Sequence, residues 1–174
     1  MNPLIRALRR LAGALRLTDA LPAPRVTFDF VCTDANGNVR WTETVRNTVT
    51  TAGKTDIVDK YLKGSSYTAA WYMLLKGSGT ISASDTLASH AGWSEITAYS
   101  GSRPAITWGS TSSGSNTSSG VAFSINGTAT VAGAGICTAA SGTSGVLYNV
   151  ANFGTARDVL SGDTLTVTMT ISVS

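Results

Sequence analysis

From residue 26 onward, apolar and polar residues alternate with a period of two in one short run after another. Val26, Phe28, Phe30 and Cys32 alternate with Thr27, Asp29, Val31 and Thr33, which puts one set on a single face of a half-buried strand. The final run, Asp163 to Val173, alternates through Leu165, Val167, Met169, Ile171 and Val173. Between these ends the pattern predicts strand-like stretches at Val39 to Val49, Tyr67 to Leu75, Trp93 to Tyr99, Pro104 to Trp108, Val121 to Ile125, Thr128 to Cys137 and Val146 to Phe153. Asn36-Gly37, Asn126-Gly127 and Ser161-Gly162-Asp163 supply turns between them. Gly77 to Thr80 reads as a loop, and residues 109–120, GSTSSGSNTSSG, as a polar loop with nothing to add to a core.

Helical periodicity marks one stretch of the body, Asn47 to Tyr72. Ile57, Val58, Tyr61 and Leu62 recur at the spacing of an apolar stripe, with Lys54, Asp56, Lys60 and Lys63 on the other side. The spacing predicts a helix over 51–63 that buries this stripe, capped by Thr50 or Thr51 and stopped by Gly64. A second short helix is predicted at Ser84 to His90, with Asp85 as its cap and Gly92 as its stop.

A different pattern precedes the body. In MNPLIRALRRLAGALRLTDALPAPR, Leu4, Leu8, Leu11 and Leu15 share one helical face, and Arg6, Arg9, Arg10 and Arg16 lie largely opposite. Leu21-Pro22-Ala23-Pro24 ends any helix and forms a stiff spacer. The expected organisation is an amphipathic basic helical arm over 1–25, then a mainly β body over 26–174. That body is read as a single sandwich or jelly-roll-like domain with one or two short helices.

Composition supports a packed body. Hydrophobic residues make up 43% of the 174 and charged residues 13%, too apolar for a disordered chain. A body of about 150 residues buries roughly 70% of its unfolded surface. The formal charge of +3 belongs to the arm: it holds five arginines against Asp19, whereas the body holds eight basic against nine acidic residues. Charge therefore gives no case for specific nucleic-acid binding by the body. No apolar run is long enough to span a bilayer. For the arm, four roles compete: lying on a membrane surface, organellar targeting, binding nucleic acid, or docking into a groove on a protein partner. Docking is the favoured expectation, with the four leucines buried against the partner and the four arginines at its rim; a helix packed on its own body is the alternative.

Candidate chemistry is sparse. His90 is the single histidine and Glu43 and Glu95 are the only glutamates, a poor stock for metal sites or paired-carboxylate catalysis. No phosphate-binding or nucleophile-elbow motif occurs, and no cofactor is expected. Asp34-Ala35-Asn36-Gly37-Asn38 resembles the start of a calcium loop, but Val39 stands where that loop needs glycine and no closing glutamate follows, so a turn is expected. Cys32 and Cys137 are expected as buried free thiols, with one disulfide between them, in an oxidising environment, as the alternative. The four tryptophans, Trp41, Trp71, Trp93 and Trp108, leave a carbohydrate-binding β module as a weaker alternative, although core packing is the commoner use.

Three passages resemble a family of small structural proteins of tailed bacteriophages: VTTAGKTDIVDKYLKGSSYTAAWYMLLKGS, DTLASHAGWSEITAYSGSRPAITWGS and LSGDTLTVTMTISVS. The shared features are a helix ahead of a W-Y-x-x-L strand, a D-T-x-A-S-H-x-G-W-x-E turn, an R-P strand and a closing S-G-D-T-L-x-V-T. The likeness covers nearly all of 45–174 but not the arm, and Met73-Leu74-Leu75-Lys76 departs from the family's aliphatic-glycine run. It implies a virion component assembled in the cytoplasm of a bacterial host, with no catalytic residues. A capsid decoration or cement protein bound to the major capsid protein, and homo-oligomeric, is the first expectation. A tail, neck, adaptor or fibre-attachment subunit is the alternative.

Overall fold

The structure, a computed structural model, describes residues 24–67 and 70–173. The expectations for Leu4, Leu8, Leu11, Leu15, Arg6, Arg9, Arg10 and Arg16 fall outside the described residues. The described chain is mainly β, with nine strands in one antiparallel sheet. They are β1 (Arg25–Thr33), β2 (Val39–Val49), β3 (Tyr72–Gly79), β4 (Trp93–Ile96), β5 (Ser115–Thr117), β6 (Val121–Ser124), β7 (Ala129–Cys137), β8 (Leu147–Val159) and β9 (Thr164–Ser172). Arg25, assigned above to the arm, opens β1.

The strand order is β4-β3-β7-β8-β2-β1-β9-β5, and β6 also pairs with β9. β2 is the hinge of this arrangement. Its first part, Val39 to Arg46, pairs with β1, and its last three residues, Asn47 to Val49, pair with β8. One strand thus belongs to two halves of the sheet, whose inner faces meet over a shared core. Val26, Phe28, Phe30 and Cys32 of β1 and Leu165, Val167 and Met169 of β9 come from one half. Met73, Leu75, Ile136, Ala151 and Phe153 come from the other. Phe30 meets Phe153 edge to face at 4.6 Å between ring centres, a favoured aromatic geometry. The alternation in β1 and β9 is borne out: these inner residues are essentially inaccessible.

The β1–β2 connection is the expected turn. The Asp34 carboxylate accepts from the backbone N–H of Asn36 and of Asn38, each at 2.9 Å, and from the Asn38 side chain. Gly37 alone in this turn adopts positive φ, +84°. Cys32 and Cys137 are buried free thiols. Burial chiefly, with the Asp163 carboxylate beside it, pushes the Cys32 thiol up to about 11.

Several expectations are corrected. The aromatic strand starts at Tyr72, not Tyr67, and runs on to Gly79 through the predicted loop. Pro104 to Trp108 forms no strand, only single bridges at Ala105 and Trp108. The polar loop at 109–120 contributes β5, whose Ser115, Asn116 and Thr117 pair with the end of β9; edge backbone groups need partners whatever the side chains. Ser84 to His90 makes turns instead of a helix. There Asp85 accepts from Ser82 N and from the Trp93 indole, so its carboxylate closes a loop rather than capping a helix.

The predicted helix at 51–63 exists as α1 (Thr51–Ile57) followed by a π-helical turn, Val58–Leu62. Thr50 caps it, accepting from Gly53 N at 3.0 Å, and Gly64 turns the chain at φ +78°. Its buried face is not the predicted one. Tyr61 is 83% exposed, Leu62 65% and Val58 56%, and only Ile57 packs partly on the core. The helix docks by its backbone instead: Gly53 is buried so close to β8 that a Cβ there would stand 2.3 Å from the Tyr148 carbonyl oxygen. A glycine contact brings two backbones together and turns the apolar stripe outward.

Candidate functional site

The outward stripe borders an apolar groove of about 520 Å³. Ile57, Tyr61, Trp71, Trp108 and Ile171 line it together with the buried Ile136 and Tyr148. These residues come from α1, the π-helical turn, β7, β8, β9, the segment before β3 and the segment between β4 and β5. Backbone contacts fix the two tryptophan segments. Ile106 N donates to Trp71 O at 2.8 Å, and Trp108 bridges to Ser118 beside β9.

The aromatic side chains are fixed by one another. Trp71 packs edge to face on Tyr148 at 5.4 Å between ring centres. Its indole N–H donates to the Tyr67 hydroxyl at 3.1 Å, holding Tyr67, 57% exposed, at the rim. Burial, with Asp56 adding to it, pushes the Tyr148 phenol up to about 12. Among the described residues Asp56 has no ion-pair partner; Lys60 lines the same groove. Pro24, the residue at which the arm joins the body, also lines it.

The resembling passages supply much of this groove, but Asp85, His90, Trp93, Glu95 and Arg103 of the middle passage lie elsewhere and are spent on packing. On the outer face of β3, β7 and β8, the loop after β3 covers a second core of Leu74, Leu87, Trp93, Cys137, Leu147 and Val150. Asp85 takes the Trp93 indole N–H at 2.8 Å, and His90 stacks on the Trp93 ring at 4.0 Å with its Nδ1 against the Trp93 carbonyl. Glu95 receives Arg103 through two bonds of 2.7 and 2.6 Å, while the third guanidinium nitrogen donates to Ala139 O and Gly142 O. Such a forked pair with every donor nitrogen placed is the strong form of a charged hydrogen bond. Lys76 is wholly buried, its ammonium donating to Gly77 O and Gly79 O and lying 5.7 Å from the Trp93 ring centre. Burial holds its pKa below the usual lysine value.

His90 is thus a turn histidine with its partner in place. Among the described residues no three His, Cys, Asp or Glu side chains gather as a metal site, and no helix is long and apolar enough to cross a membrane. Of the tryptophans, Trp93 is buried and Trp41 packs on Phe153; Trp71 and Trp108 share the groove. Sequence reasoning missed this pairing, because 36 residues lie between the two and only the sheet brings them together. The one signal was the apolar stripe of the helix, which marked a surface without saying what would cover it. No protein-family model matches the sequence, and no curated protein matches it.

Proposed function

We propose that this chain is a structural virion protein of a tailed bacteriophage, a capsid decoration or cement subunit held on the major capsid protein shell by its arm and body. In this reading the folded sheet forms the two layers of a jelly-roll-like sandwich and the arm is an amphipathic helix. The observation that carries it is the apolar surface that Tyr61, Tyr67, Trp71 and Trp108 leave open to solvent at the root of the arm. A contiguous apolar surface of this kind marks a place of association. The resembling motif supports the same reading: Asp85, His90, Trp93, Glu95 and Arg103 serve packing, as a scaffold requires.

The test is quantitative mass spectrometry of purified particles, with and without residues 2–24. The full chain is expected at a copy number on the scale of the shell, and the deletion to fold but to be lost from the particle. A copy number on the scale of a single ring assigns the tail or neck instead, and absence from particles ends the reading. A deletion protein retained at normal copy number refutes the arm as anchor. Trp71 and Trp108 in one groove favour a second reading, a carbohydrate platform. Quenching of tryptophan fluorescence by oligosaccharides, abolished in Trp108→Ala, would establish it.

A further inference from the structure

We propose that Asn126 is a site of spontaneous deamidation, while Asn36, its counterpart in the other Asn-Gly pair, is protected by the turn that Asp34 holds. Asn36-Gly37 and Asn126-Gly127 are the only Asn-Gly pairs in the chain. A glycine after asparagine leaves its backbone nitrogen open to the side-chain amide, because no Cβ stands in the way.

Accessibility does not separate the pairs, since both asparagines are exposed. What separates them is the hold on the attacking nitrogen. In the turn between β1 and β2, Gly37 N donates to Asp34 O at 3.0 Å. The Asp34 carboxylate also takes Asn36 N and Asn38 N, each at 2.9 Å, and the Asn38 side chain at 3.1 Å. Gly37 N must leave its acceptor before it can reach the Asn36 side chain, and the flanking bonds resist that movement. Its reaction is therefore limited by how often the turn opens. In the connection between β6 and β7, Asn126 N donates to Ala98 O at 3.1 Å. Gly127 N has no hydrogen-bond partner among the described residues. It is free to attack.

The chemistry needs only water. Gly127 N gives its proton to solvent hydroxide and bonds to Asn126 Cγ; the Cγ–Nδ2 bond breaks and ammonia leaves. Water then opens the cyclic imide at either carbonyl, giving aspartate or isoaspartate. The sum is amide plus water to acid plus ammonia. Isoaspartate routes the main chain through the side-chain carbon and lengthens it by a methylene. That methylene falls between two fixed points, the Asn126 bond to Ala98 and the first pair of β7, Ala129 with Val159.

The test is incubation of the full chain in mildly alkaline buffer, followed by peptide mapping with mass spectrometry over time. Residue 126 is expected to convert at least about tenfold faster than residue 36, as the set of bonds around Gly37 implies. Asp34→Ala removes the carboxylate, leaves Asn36-Gly37 in place, and should bring residue 36 towards the rate of residue 126. Gly127→Ala should suppress conversion at residue 126. Gly127 has no positive φ, and a Cβ there meets only the Ala98 Cβ at 3.6 Å, so the fold accepts alanine. In urea the two asparagines should convert at similar rates, because the fold alone distinguishes them. Four results would each overturn the proposal: equal or faster conversion at residue 36 in the folded chain, no conversion at residue 126, a preference for 126 that persists in urea, or Asp34→Ala leaving residue 36 as slow as before.

Discussion

Gly53 and Tyr148 touch backbone to backbone: a Cβ on Gly53 would stand 2.3 Å from the Tyr148 carbonyl oxygen. This contact seats α1 on β8 and determines which face of the helix meets water. Gly53→Ala is therefore expected to destabilise by about 1–3 kcal/mol through overpacking, although alanine favours a helix by about 1 kcal/mol over glycine. Urea unfolding measures it. An unchanged or raised midpoint would show that the helix is seated by something else.

The same geometry reverses the expectation for the apolar stripe. Leu62→Ala should change the stability of the subunit by no more than about 0.5 kcal/mol, as an exposed site does. Phe30→Ala, at the centre of the core, should cost about 3–5 kcal/mol. Thermal unfolding of both variants decides it; a large loss at Leu62 would mean that the stripe is buried after all.

The loop that covers the outer core hangs on the Asp85 carboxylate. Asp85→Ala strands the buried Trp93 indole N–H and Ser82 N, and should cost about 1–3 kcal/mol. Combined with Trp93→Phe in a double-mutant cycle, it should give a coupling energy of about 0.5–3 kcal/mol. Purely additive losses would mean that the loop is held without this bond.

Stability should fall in alkaline solution. Burial raises Cys32 to about 11 and Tyr99 and Tyr148 to about 12, and raises Cys137 as well. Above the ordinary thiol value of 9.0 the folded chain therefore holds protons that the unfolded chain has released, and stability declines as pH rises. Lys76 acts in the opposite sense. Its pKa is lowered from 10.5, so between the two values the unfolded chain binds more protons and stability rises with pH. The raised acids outnumber the single lowered base, so the urea midpoint should be lower at about pH 10.5 than at about pH 8. Tyr99→Phe should flatten the fall and Lys76→Met should steepen it. A midpoint that rises over this range would contradict the burial of these groups.

The sequence by itself determined the features set by period and local chemistry. Alternation over Val26 to Cys32 and Leu165 to Met169 specified strands and their inner faces, since a side chain on a strand has only two faces to choose from; beyond Met169, Ile171 is only partly buried and Val173 is exposed. Asp34 to Asn38 specified a turn, Thr50 and Gly64 specified the ends of a helical stretch, and the charge imbalance separated the arm from the body. The tertiary structure decided whatever depends on a partner distant in sequence. Backbone approach at Gly53 overrode the helical stripe, because a close glycine contact leaves no room for side chains between helix and sheet. The unpaired edge of β9 recruited Ser115 to Thr117 from a segment without strand character, because edge N–H and C=O groups bond to any backbone that reaches them. The division of β2 between two sheet halves brought Trp71, Trp108 and Tyr148 to one groove beside Pro24. No local pattern encodes that meeting, because it depends on which strands pair, and pairing is a property of the whole chain.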